Sequence, residues 1–271
     1  MTKKLDISVN ELVSCSTAAR GSSLVHRLDP RAKWLVTLAF AVIATSFGKY
    51  EISRLMPLFF FPFAMIALSG VPVADVLKRT AVTVPFILLV GLFNPFFDHH
   101  VLISLWGFPL SGGWVSFLSI TLRSVLVVSS VVLLSLTTRS DRLFSGLGGL
   151  GVPSLLVVQL QFLNRYLLLM AGEVQRIVRA HSLRSGSGRS GVSLFLSGPM
   201  LGILLLRSMD RATRVHWAML ARGFDGEVRA VCPLKFSWQR DGVFVLVWIV
   251  FFGAVRFIDI PFLLFGWVVG K

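Results

Sequence analysis

Apolar residues fall into long runs separated by short polar stretches: Trp34–Phe47, Leu55–Leu68, Thr80–Phe97, Trp114–Leu136 and Val243–Val269. Such runs predict membrane-spanning helices, because away from water a helix satisfies every backbone N–H and C=O within its own segment. Two of them fall short of the ~20 residues of a perpendicular span, so their ends must extend into flanking residues or the bilayer must thin locally. Two further runs, Pro153–Met170 and Val192–Leu206, are mixed in character. The first contains Gln159, Gln161, Asn164 and Arg165, and an arginine at mid-bilayer costs about 2.5–3.5 kcal/mol on insertion scales. It predicts a poor span.

Composition excludes a soluble globular domain: of 271 residues 55% are hydrophobic and 15% charged, with a mean hydropathy of +0.77, whereas soluble domains carry about 25% charge. Lys and Arg number 27 against 13 acidic residues, a formal charge of +14. In a soluble protein that excess would point to nucleic acid; here it orients the chain in a bilayer, and no nucleic-acid partner is expected. Arg20, Arg27, Arg31 and Lys33 precede the first run, Lys78 and Arg79 lie between the second and third, and residues 98–113 hold neither Lys nor Arg. The positive-inside bias then gives a cytoplasmic N-terminus, five spans and an outer C-terminus. From Arg139 to Arg240 the chain carries 14 Lys or Arg and 5 acids, which assigns that segment to the cytoplasm. Two crossings by the mixed runs would preserve parity but place Arg176, Arg179, Arg184 and Arg189 outside, so two long amphipathic helices at the cytoplasmic surface are expected. The polar N-terminus lacks an apolar signal region, and the distant Cys15 and Cys232 support neither a disulfide framework nor a thiolate metal site.

The expected fold is therefore an all-α integral membrane protein with about five transmembrane helices and two long cytoplasmic helices. Residues 1–136 form an N-terminal cytoplasmic segment and helices 1–4, residues 137–240 the cytoplasmic domain, and residues 241–271 the last span. The first span is expected to start at Leu28-Asp29-Pro30-Arg31: the Asp29 carboxylate can cap free N–H groups, and Pro30 suits the first helical position. Gly151-Val152-Pro153 is a second such start, and the Ser/Gly-rich stretch 185–191 a flexible break.

Several patterns only imitate chemistry. Gly146–Gly151 matches GxGxxG, but no strand precedes it, so a glycine-rich turn is expected instead of a dinucleotide site. Asp98, His99 and His100 offer metal-ligand types in an outer loop, although adjacent histidines diverge unless the backbone turns. Arg123, inside the fourth run, is either a functional charge or a structurally satisfied one. Arg256 and Asp259 can pair on one helix face. No Walker A, HExxH or Ser-His-Asp arrangement is visible, so ATP hydrolysis is expected elsewhere than in this chain.

The strongest pattern is a pair of helix ends. Arg165, Gly172, Arg176 and Arg179 form one stripe on a helix closing on Leu183-Arg184-Ser185; Arg207, Arg211, Arg214 and Arg222 form another on a helix closing on Ala221-Arg222-Gly223. Two ends of like design predict two equivalent docking sites on a partner. From His26-Arg27-Leu28-Asp29-Pro30-Arg31-Ala32-Lys33 to about Gly226 the chain resembles the transmembrane T component of energy-coupling factor (ECF) transporters, in its cobalt-type CbiQ/EcfT branch. The resemblance includes Asn94-Pro95-Phe96-Phe97-Asp98, Thr137-Thr138 with Asp141, Val152-Pro153, and Arg165-Tyr166 leading to Glu173.

The resemblance implies a scaffold in the cytoplasmic (inner) membrane whose two coupling helices dock on two ATP-binding cassette ATPases. The coupling residues would be Leu183, Arg184, Ser185, Ala221, Arg222 and Gly223; the first triplet departs from the family's Ala-Arg-Gly pattern at its first residue. A separate membrane S component would bind the substrate, cobalt or another divalent metal, with a vitamin, or several S components, as the alternative. No cofactor and no metal are expected on this chain. A membrane metalloenzyme using Asp98, His99 and His100 and a self-sufficient transporter using Arg123 are the rival readings.

Overall fold

A computed structural model describes residues 23–48, 52–93, 101–105, 108–184, 194–226 and 236–257. Helices dominate, and they fall into two compact units. One comprises Ala18–Arg139 and Lys235–Lys271, the other Ser140–Leu234.

The first unit, the bundle unit, contains helices α1 (Pro30–Ser46), α2 (Phe60–Ser69), α3 (Val73–Leu92), α4 (Gly112–Thr137) and α8 (Val243–Phe257). Helix α1 starts where its sequence requires: Asp29 is extended, its carboxylate accepts from the Arg31 N–H at 2.8 Å, and Pro30 takes the first helical position. Short turns at Ile52–Leu55 and Met56–Phe59 lead into α2. The core is aromatic. Phe61 of α2 packs on Phe40 of α1 at 4.6 Å and edge-on against Trp248 of α8 at 4.7 Å, and Phe252 lies 5.4 Å from the Phe61 ring. Leu126, Leu133 and Leu136 of α4 join the same buried cluster. Helices surrounded by lipid gain little from excluding water, so interdigitated packing of this kind carries their association. Gly91 of α3 adds to it, since a Cβ there would come within 2.9 Å of the Phe117 ring of α4.

Polar ends of the bundle are tied crosswise. The Lys33 ammonium in the first turn of α1 donates to the Thr137 carbonyl at 3.0 Å and to the Thr138 hydroxyl at 2.9 Å, at the end of α4. Arg123 of α4 donates to the Thr45 and Gly48 carbonyls at 3.4 and 3.1 Å, at the end of α1. The 17 residues of α1 extend about 25 Å at 1.5 Å per residue, less than the ~30 Å hydrocarbon core. Its last carbonyls therefore need donors from protein, and Arg123 supplies them. Of the two readings of Arg123, the structure favours the structural one. Arg256 rests 5.3 Å above the Phe47 ring; its expected partner Asp259 lies outside the described residues, as do Asn94–Asp98, His99 and His100.

Between α3 and α4 the expected outer loop contains a hairpin, β1 (Val101–Leu105) antiparallel to β2 (Phe108–Ser111), pairing Leu105 with Phe108 and Val101 with Ser111. The all-α class thus holds with a small β insert, which β-branched residues in a short apolar stretch favour locally.

The second unit contains α5 (Ser140–Gly148), α6 (Ser154–Arg184) and α7 (Leu194–Leu220). The GxGxxG stretch ends α5: Gly151 adopts φ 94°, and the Val152 N–H returns to the Leu147 carbonyl at 3.3 Å. This is a helix-terminating turn that uses glycine for its left-handed residue. Gln161 of α6 donates to the Ser145 hydroxyl at 3.1 Å and Asn164 to the Asp141 carboxylate at 3.4 Å, so two of the polar residues in the first half of α6 are engaged by α5, while Gln159 and Arg165 are exposed. Two described helices are long and apolar enough to cross a membrane, Gly113–Thr137 and Ser154–Arg184. Length and hydropathy thus also admit α6, which the loop charges assign to the surface.

Candidate coupling site

The paired arginines stand at the ends of α6 and α7, and the two ends are built differently. Helix α6 runs through Leu183 and Arg184, both exposed, the leucine to 81%. Ser185 lies outside the described residues. Helix α7 stops at Leu220, and the backbone then turns: the Gly223 N–H donates to the Leu220 carbonyl at 2.9 Å and the Phe224 N–H to the Met219 carbonyl at 3.0 Å. Those two bonds, with Gly223 at φ 78°, make a Schellman turn. Ala221 and Arg222 occupy the turn, both exposed. Arg222 sits at the C-cap, where a cation complements the partial negative charge of the helix end. Its guanidinium is carried outward on a short rigid turn, while Arg184 extends from helix proper.

Helices α6 and α7 are joined by an ion pair that sequence spacing did not reveal. Glu173, almost buried, receives Arg207 from α7 and lies 3.6 Å from Arg176 on its own helix. Each stripe thus gives an arginine to one carboxylate; of the other stripe cations Arg165, Arg179 and Arg214 are exposed, while Arg211 is half-buried at the edge of a groove between the two helices. Alongside, the two helices border an open apolar groove of about 430 Å³, lined by Phe162, Tyr166 and Met170 from α6 and Met209, Val215 and Met219 from α7. Met219 also accepts the bond that closes the Arg222 turn, so groove and arginine share one stretch of backbone. The groove went unseen in the sequence because its residues are ordinary apolar positions on two helices, and only their packing makes them face each other.

Other residues singled out from the sequence have contacts that explain them. Thr137 and Thr138 receive Lys33, Asp141 receives Asn164, and Glu173 receives Arg207. Asp29, Pro30 and Arg31 start α1. Among the described residues no three His, Cys, Asp or Glu side chains come together as metal ligands.

An apolar helical bundle, with a second helical unit that displays two terminal arginines, is the make-up of an all-α membrane protein. The chain belongs to the CbiQ/EcfT family of energy-coupling factor T components: the CbiQ family, described as a cobalt transport protein, matches residues 21–231. It is similar to the energy-coupling factor transporter transmembrane protein EcfT of Lactococcus lactis subsp. cremoris, 28% identical over 241 residues that cover 83% of this chain and 90% of the relative. The proteins of the same description from Bacillus subtilis and Limosilactobacillus fermentum are 26% and 29% identical, covering 88% and 86% of this chain and 94% and 93% of theirs.

Proposed function

We propose that this chain transmits ATP-driven motion from two cytoplasmic ATP-binding cassette ATPases to a separate membrane component that binds the substrate, in the cytoplasmic membrane and with residues 137–240 on the cytoplasmic side. ATP hydrolysis belongs to the partners. The observation that carries this reading is the presentation of Arg222 at the C-cap of α7, exposed on a turn locked by two backbone bonds, with Arg184 exposed at the end of α6. A guanidinium so presented can make several directed bonds to carbonyls or carboxylates in a groove, which an ammonium cannot reproduce. Leu183 flanks Arg184, and Ala221 and Gly223 shape the turn that carries Arg222; Ser185 completes the first triplet in sequence. The apolar groove between α6 and α7 gives a membrane partner an adaptable surface, since Met170, Met209 and Met219 can repack around different shapes.

The cargo we infer is cobalt or another divalent metal, supported by the description of the matched family. A vitamin cargo, or several substrate-binding components sharing one T component, is the second reading. It is favoured by relatives whose names mention energy coupling and no metal.

Changing Arg184 and Arg222 together to Glu tests the coupling role. A reversed charge in a docking groove costs several kcal/mol, while an exposed substitution scarcely alters folding. The double variant should insert normally yet lose co-purification with the ATPases, with each single change milder. Wild-type recovery of the ATPases would refute the assignment.

A further inference from the structure

The chain leaves the bundle unit after Arg139 and re-enters it at Lys235. These two crossings are far apart in sequence, yet within the bundle unit both are fixed to the first turn of α1. At the exit, the Lys33 ammonium, 2% exposed, holds the Thr137 carbonyl and the Thr138 hydroxyl, the last helical residue of α4 and the residue after it. At the return, the fully buried Asp241 carboxylate accepts from the Ser237 N–H at 2.8 Å with one oxygen and from the Asp29 N–H at 3.0 Å with the other. Asp29 in turn caps α1 through the Arg31 N–H. One segment, Asp29–Lys33, therefore grips both strands of chain that lead to α5–α7.

Stability alone is a poor reason for this arrangement. Removing an ammonium and a carboxylate from water is expensive, and well-packed apolar residues of similar volume often serve a core as well or better. Buried charges with directed bonds are best justified where they fix a register, and here what they fix is Thr137–Thr138 and Ser237–Asp241 against one helix. A helical turn is stiff, so a force arriving at Thr137–Thr138 or at Ser237–Asp241 is resisted at the same place.

We propose that the Asp29–Lys33 turn is the anchor against which the α5–α7 unit moves, with Lys33 and Asp241 as positioning residues for energy transmission. The proposal rests on the reading that α5–α7 takes up motion from the ATPases.

The test uses the full chain, assembled with its ATPases in lipid nanodiscs, in a Cys15→Ser, Cys232→Ser background with spin labels at Leu77→Cys and Thr213→Cys. In Lys33→Met, amide exchange over residues 137–142 should rise by about tenfold, the local opening equilibrium losing a charge-assisted bond. Exchange in α4 over residues 118–130 should stay as in wild type. The ATPases should co-purify normally, while the ATP-dependent change in label distance falls by about half or more. Lys33→Arg, which keeps a charged donor, should restore that change. Asp241→Asn should raise exchange over residues 29–33 and 236–241. Thr138→Val, which leaves the ammonium in place, should repeat the Lys33→Met pattern in smaller measure and serves if that variant folds poorly. A wild-type distance change in Lys33→Met and Thr138→Val, or exchange that rises evenly along α4, overturns the proposal. Failure of the wild-type chain to bind ATPases would instead defeat the coupling reading, and the exchange measurements would still decide whether the turn holds both crossings.

Discussion

Gly223 shows how much one residue decides at the proposed coupling site. Its φ of 78° lies where an L side chain costs roughly 1–2 kcal/mol, and open space surrounds the position where a Cβ would go. The penalty of Gly223→Ala is therefore one of backbone conformation, without a clash. We expect the Schellman turn to loosen and Arg222 to lose its fixed direction, so that affinity for the ATPases falls about tenfold, the equivalent of about 1.4 kcal/mol, while helix content by circular dichroism is unchanged. Gly172, within α6 and also open, is the control: Gly172→Ala should leave binding intact and favour the helix slightly. Equal effects at both positions would argue against the turn. The same scale separates Arg123 from the paired arginines Arg184 and Arg222, since its two terminal nitrogens donate to the Thr45 and Gly48 carbonyls at the end of α1.

At the scale of elements, α6 and α7 meet through Glu173 and Arg207. The arginine is 58% and the glutamate 13% exposed along the side chain, so solvent screens the pair and its worth is about 0.5–1 kcal/mol, near the upper range for exposed ion pairs. A double-mutant cycle with Glu173→Gln and Arg207→Gln, read by thermal unfolding of the purified chain in detergent, should give a coupling energy of that size. Exchanging the charges, Glu173→Arg with Arg207→Glu, should recover part of the loss. Strict additivity of the two single changes would mean that the helices are held by their apolar contacts alone. The glycine ends of α5 and α7 belong to this scale as well: both use a left-handed glycine to stop a helix, and the stretch that imitates a dinucleotide loop is one of them.

For the whole molecule, the charge distribution makes a definite forecast of sidedness. Single cysteines replacing Ser187 and Asp225, in a background with Cys15 and Cys232 changed to Ser, should resist an impermeant thiol reagent in intact cells and react in inverted vesicles. Asp225 is chosen over its neighbour Gly226 because the latter holds φ 93°. Labelling of Ser187→Cys from outside would place Arg176, Arg179 and Arg184 beyond the membrane and turn α6, which length and hydropathy admit as a span, into a crossing helix. The positive-inside bias argues for the cytoplasm.

Sequence by itself determined the membrane class, the start of α1 at Asp29-Pro30, the glycine turn in place of a nucleotide loop, and the family through its spaced motifs. These are local properties: hydropathy, capping chemistry and turn preference act within a few residues, so they are written where they act. The hairpin at Val101–Ser111 escaped because two short strands inside a loop have no period long enough to see. Only the tertiary structure joined Lys33 to Thr137 and Thr138, Asp29 to Asp241, Arg123 to the end of α1, and Glu173 to Arg207. Each of those links pairs residues remote in sequence, and their partners follow from which helix faces meet and in what register, a choice made by the packing of Phe40, Phe61, Trp248 and Phe252 in the bundle and of α6 on α7 in the other unit.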